Sequence, residues 1–68
     1  MTHPVWYYVE KLSWYSSNDT LDYCDTLEEA EELYNLYKNN PKEWDTKSVE
    51  LSYGAQVLRS EKLSYPWA

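Results

Sequence analysis

Between residues 5 and 15 the chain alternates in steps of two. Val5, Tyr7 and Val9 share one face, while Trp6, Tyr8, Leu12 and Trp14 share the other. β-Branched and aromatic side chains suit a pleated surface, so the segment predicts a strand. Apolar residues on both faces predict that this strand is central or covered on both sides. Ser16-Ser17-Asn18-Asp19 is a cluster of turn formers. Thr20 to Asp25 follows as a short partner strand, with Leu21 and Tyr23 on one side and Thr20, Asp22 and Cys24 on the other. The pair predicts an antiparallel hairpin.

The period then changes. Leu27, Ala30, Leu33, Tyr34 and Tyr37 fall within an arc of about 120° at helical spacing, the width of a stripe that faces a core. Glu28, Glu31, Glu32, Asn35 and Lys38 lie opposite, and Leu36 falls among the polar positions. Thr26-Leu27-Glu28-Glu29 has the form of a capping box with Thr26 as N-cap. Asn39-Asn40-Pro41 ends the helix, because the residue before proline is biased away from helical geometry. Residues 42–46 read as a connecting loop that carries Trp44. Residues 47–53 alternate again, with Val49, Leu51 and Tyr53 against Ser48, Glu50 and Ser52, which predicts a strand with a polar outer face. Gly54 marks a turn. Residues 55–63 read as a fourth strand pairing back, with a short helix as the alternative, and residues 64–68 as a tail.

These elements predict one small α+β domain over residues 1–68. Its architecture is an antiparallel sheet of 3–4 strands with one helix packed on one face, in the order β-β-α-β-β. A helix covers only one side of such a sheet, so several Trp and Tyr rings should stay near solvent on the other. Large apolar patches of that kind mark contacts.

Composition narrows the function. The chain has 68 residues, and a domain of that size buries only about 60% of its unfolded surface. A deep substrate cavity is therefore not expected. Twelve acids against six bases give a net charge of −6. That balance argues against direct nucleic-acid binding and against adhesion to anionic membranes, both of which need basic side chains. No apolar run approaches the roughly 20 residues of a membrane span. Met1 is followed by strand-like, polar-interrupted sequence, so no leader peptide is expected. Cys24 is the single cysteine, which excludes an intramolecular disulfide and fits a reducing, cytoplasmic compartment. Asp22 and Asp25 beside it disfavour a reactive thiolate.

The chemistry of an enzyme is not assembled. His3 is the only histidine and sits near the terminus, so neither a Ser-His-Asp nor a Cys-His set can be built around it. A single glycine excludes a glycine-rich phosphate loop. Asp19, Asp22 and Asp25 lack the glycine and glutamate of a calcium loop. No catalytic residue, cofactor or metal is expected.

Charge is unevenly distributed. No Lys or Arg occurs from Leu12 to Tyr37, where Asp19, Asp22, Asp25, Glu28, Glu29, Glu31 and Glu32 all fall. Carboxylates in a first helical turn are favoured by the macrodipole by about 0.3–1 kcal/mol each, which accounts for Glu28 and Glu29. Glu28 with Glu31 and Glu28 with Glu32 are like-charge pairs, each unfavourable by about 0.2–0.5 kcal/mol. Solubility alone can explain such a band. The alternative is an anionic surface that meets a basic partner, with carboxylates about 5–6 Å apart imitating a phosphate array.

In size, in the acidic band 19–32, and in a strand pair followed by Asp-Thr-Leu-Glu-Glu-Ala-Glu-Glu-Leu, the chain resembles the small acidic proteins with which phages disable host defence, of anti-CRISPR and anti-restriction type. The resemblance implies inhibition by binding an effector complex without chemistry. Its departure from a strict DNA mimic is the near-neutral C-terminal half. Asp19, Asp22, Asp25, Glu28, Glu31 and Glu32 are then the candidate partner-binding acids, with Trp14, Tyr15 and Leu36 as apolar anchors. The expected partner is a protein with a basic, nucleic-acid-binding surface. The second reading is a homo-oligomer that associates through the aromatic sheet face.

Overall fold

The computed structural model describes residues 6–66; the expectations for His3 and Val5, and the last two positions of the tail, lie outside the described residues. Four strands, β1 (Tyr7–Ser13), β2 (Thr20–Cys24), β3 (Thr46–Tyr53) and β4 (Gln56–Lys62), form one antiparallel sheet in the spatial order β2-β1-β3-β4. Helix α1 (Leu27–Asn39) carries the chain from edge strand β2 across the sheet to β3, so β1 lies between two neighbours. The chain is thus α+β with one long helix on one face, as the periodicities predict. Residues 56–62 form a strand rather than a helix.

Register explains which side chains reach the helix. Tyr7, Val9 and Lys11 pair with Cys24, Asp22 and Thr20 of β2 and with Tyr53, Leu51 and Val49 of β3, and all of these point to the α1 side. Val9, Cys24, Val49 and Leu51 bury there against Ala30, Tyr34 and Tyr37 of the helix stripe, with Tyr7, Leu33 and Trp44 packed around them. Fully burying a residue such as Leu51 contributes about 1.5–3 kcal/mol. Leu27, expected in the same stripe, is the first residue of α1 and stays exposed.

With no phenylalanine, the core uses tyrosines whose hydroxyls must find water or a partner. Tyr37 Oη donates to Asp22 Oδ2 at 3.0 Å, and the Tyr37 carbonyl accepts from Thr46 Oγ1 at 2.9 Å. At the N-terminus of α1, Thr26 Oγ1 accepts from the Glu29 amide at 3.2 Å, the first half of the capping box.

Two local features differ from the sequence reading. The first strand stops at Ser13, because residues 14–19 fold into a turn with a short 3₁₀ segment, Ser16–Asn18. The expected loop after α1 contains a single helical turn, α2 (Pro41–Trp44), started by Pro41, whose missing N–H is harmless at that position. Asp45 closes α2 in the left-handed region at φ 54°. Gly54, at φ 61°, makes the turn between β3 and β4.

Candidate functional site

The fold divides the candidate residues between two surfaces. On the helix side, Asp25, Glu28, Glu29 and Glu32 are exposed, and none has an ion-pair partner within 4 Å among the described residues. Glu28 and Glu32 are one helical turn apart on the crest of α1. Glu29 and Glu32, with Cys24, Leu33 and Leu36, line an open groove of about 470 Å³ between the helix and the β2 edge. Leu36 is 40% exposed beside these acids, so the anchor and the charges do meet.

Three other acids of the band are engaged within the fold. Asp19 Oδ1 accepts from the Ser13 amide at 2.6 Å and fixes the turn after β1. Asp22 is half-buried beneath the helix, holding Tyr37 Oη. Glu31 lies on the opposite flank of α1 and pairs with Arg59 of β4 at 3.3 Å. The free acidic ridge therefore runs over Asp25, Glu28, Glu29 and Glu32. Glu29 was not among the acids singled out in the sequence for partner contact, although its position in the helix places it on the groove wall.

Trp14 and Tyr15 belong elsewhere. Leu12, Ser48 and Lys62 share the sheet face turned away from α1, by the register of β1, β3 and β4. Trp14 joins them, with Lys47 and Leu63, around a groove of about 370 Å³. Its ring meets Tyr65 edge-on at 5.1 Å, and Lys47 Nζ lies 5.3 Å from its centroid. Tyr15 is highly exposed next to it. Upward along the same face stand Glu10 opposite Leu21 and Glu50, and then Tyr8 opposite Tyr23. Trp6 and Tyr8 each lie 5.9 Å from the Tyr23 ring. The alternation of β1 and β2 predicts this aromatic face, of which Trp14 is the one candidate anchor.

Between the layers sits a buried cation. Lys11 is 2% exposed, donates from Nζ to the Trp44 carbonyl, and lies 5.3 Å from the Tyr37 ring centroid. Burial pulls its pKa below the usual lysine value; Asp45, Asp19 and Asp22 pull the other way without fully compensating. Asp45 Oδ2 accepts from the Tyr15 amide at 2.9 Å and from Asn18 Nδ2 at 3.1 Å. The cluster thus pins β1, α2 and the 14–19 turn together. Burial raises the Cys24 thiol, and Glu29, Asp22 and Asp25 add to the shift, so the thiolate is disfavoured.

Among the described residues, no group of three His, Cys, Asp or Glu side chains could hold a metal ion. No helix among them is long and apolar enough to cross a membrane. What the geometry offers is surface: an anionic ridge beside an apolar groove on one side, and an aromatic face on the other. No family model matches the chain, and no characterised protein or solved structure is significantly similar to it.

Proposed function

We propose that the chain is a non-enzymatic binding protein that inhibits or modulates a nucleic-acid-processing complex by occupying a basic surface of it. The observation that carries this reading is the free ridge of Asp25, Glu28, Glu29 and Glu32 beside the exposed Leu36. Four carboxylates gathered at the start of α1, with no ion-pair partner among the described residues, keep their field directed outward. Such a field accelerates encounter with a basic groove by tenfold or more. Leu33 and Leu36 supply apolar area that anchors the docked complex once charge has steered it. A host-defence nuclease is the partner class that the resemblance to anti-defence proteins points to, with both proteins in the host cytoplasm.

Affinity capture from the native host tests this, with the wild-type chain and a Glu28→Lys/Glu32→Lys variant as paired baits. The reading expects a nucleic-acid-binding complex retained by the wild type and lost with the variant. It also expects the wild-type chain to reduce that complex's binding or cleavage of nucleic acid. Retention of the same proteins by both baits, with nucleic-acid binding undisturbed, refutes it.

A further inference from the structure

We infer that the sheet face turned away from α1 is a two-fold interface between two copies of this chain. The inference stands apart from the acidic ridge, which lies on the opposite side of the sheet.

The first argument is apolar area left in water. On that face Leu12 is 43% exposed, Leu21 49%, Tyr23 63% and Val57 51%, with Trp6 at 48% beside Tyr23. Four strands of five to eight residues, about 4.8 Å apart at about 3.3 Å per residue, give a footprint of about 430 Å² before side-chain relief is counted. Two copies then bury about 860 Å² of flat area, which side-chain relief carries toward the roughly 1,000 Å² at which specific interfaces begin.

The second argument is charge. The chain as a whole carries −6, so most of its surface repels another copy. This face does not. Glu10 and Glu50 stand directly opposite each other in the middle of it. Lys47 and Lys62 flank the Trp14 groove at one end. Two acids and two bases leave the patch neutral, but they are separated along the strands and not paired within one chain. Like charges directly opposite on a sheet are unfavourable, and no ion pair relieves Glu10 or Glu50 among the described residues.

A two-fold axis resolves both features. Let it lie in the interface, across the strands, between the Glu10–Glu50 row and the Leu12–Ser48–Lys62 row. It then sets each carboxylate pair over the other copy's lysine end. The same operation brings the Tyr8–Tyr23 pair of each copy toward the other's Trp14 and Tyr65, apolar upon apolar. Strands of the two sheets run nearly aligned, as in face-to-face sheet packing. Both helices, with their acids, end up on the outside of the assembly and far from each other. Contacts of this kind are isologous, so the assembly closes as a dimer.

Sedimentation equilibrium of the full chain between about 1 and 500 µM tests the inference. A dimer, at twice the 8.2 kDa of one chain, should be populated within that range. Tyr23→Glu should abolish the dimer with far-UV circular dichroism unchanged. Glu50→Lys and Lys62→Glu should each weaken it at least tenfold, and the double variant should recover to within about threefold of the wild type. Glu50→Lys also removes the like-charge pair, so its monomer should be no less stable, which separates lost association from lost folding. Glu28→Lys/Glu32→Lys should leave the dimer constant unchanged, so failure of the ridge and failure of the dimer are read separately. A monomer at every concentration overturns the inference. So does a dimer indifferent to Tyr23→Glu, or a double variant that does not recover.

Discussion

Lys11→Met removes the buried ammonium while keeping a side chain of similar length. The wild-type Nζ donates to the Trp44 carbonyl and sits over Tyr37, with Asp45, Asp19 and Asp22 acting on it electrostatically. A hydrogen bond to a charged group is worth about 1.5–3 kcal/mol, and a desolvated cation–π contact about 0.5–2 kcal/mol. Against these stands the desolvation of the ammonium, which exceeds the pull of the three carboxylates, since the pKa falls. The net expectation is a loss of about 2 kcal/mol for Lys11→Met at pH 7. Lys11→Ala, which adds a cavity, should lose about 4 kcal/mol.

The sign of the pH dependence follows from linkage. A cation whose folded pKa is depressed leaves the unfolded chain with more bound protons in the window just below 10.5. Its contribution to stability therefore rises with pH there, as the buried amine sheds its proton and keeps its hydrogen bond. The difference between wild type and Lys11→Met should widen between pH 8 and 10. Urea unfolding followed by tryptophan fluorescence measures it. A Lys11→Met variant within about 0.5 kcal/mol of the wild type, or a difference that narrows over that window, refutes the account of the buried cation.

Other expectations follow from single contacts. Asp45→Ala should lose about 2–3 kcal/mol, since it breaks two hydrogen bonds and strains a left-handed position, while Asp45→Asn, which tolerates that backbone, should lose less; urea midpoints rank them. Tyr37→Phe should lose about 1–2 kcal/mol by orphaning half-buried Asp22, whereas Tyr34→Phe should lie within about 0.5 kcal/mol of the wild type, and thermal denaturation distinguishes them. Folded-state pKa values of Cys24, Tyr34 and Tyr37 are all raised, so the unfolded chain releases these protons first and their stability is lost as pH rises past 9 to 10. Cys24→Ala should soften that alkaline decline, and Cys24 should react slowly with a thiol reagent near neutral pH because its thiolate is disfavoured.

Most of the framework was legible because it rests on periodicity. Alternation in β1 and β2 assigned their two faces, the stripe Ala30–Tyr34–Tyr37 fixed the buried side of α1, and Thr26 announced its start. Lys11 could not be recognised as a core residue, because nothing local says that a lysine between Glu10 and Leu12 will meet a carbonyl 33 residues away. The same distance effect hid Asp45, whose bonds to Tyr15 and Asn18 end β1 early and build the turn. Candidate acids were read from a run in sequence. A strand, a turn and two flanks of a helix then separated that run into Asp19 and Asp22 turned to structural bonds, Glu31 paired with Arg59, and a ridge that gains Glu29. Trp14 and Tyr15, close in sequence to the band, lie just past the end of β1, where the turn held by Asp45 sets Trp14 in the groove with Leu12 and Lys62, away from the acids on α1.

The most direct test of the ridge is the association rate with the complex retained in the capture experiment. Wild type is compared with Glu28→Gln/Glu29→Gln/Glu32→Gln by stopped flow at low and physiological ionic strength. The account predicts that the wild-type rate falls steeply with salt and that the variant is about tenfold slower at low salt, with a flatter salt dependence. Equal rates and equal salt slopes for the two proteins contradict it.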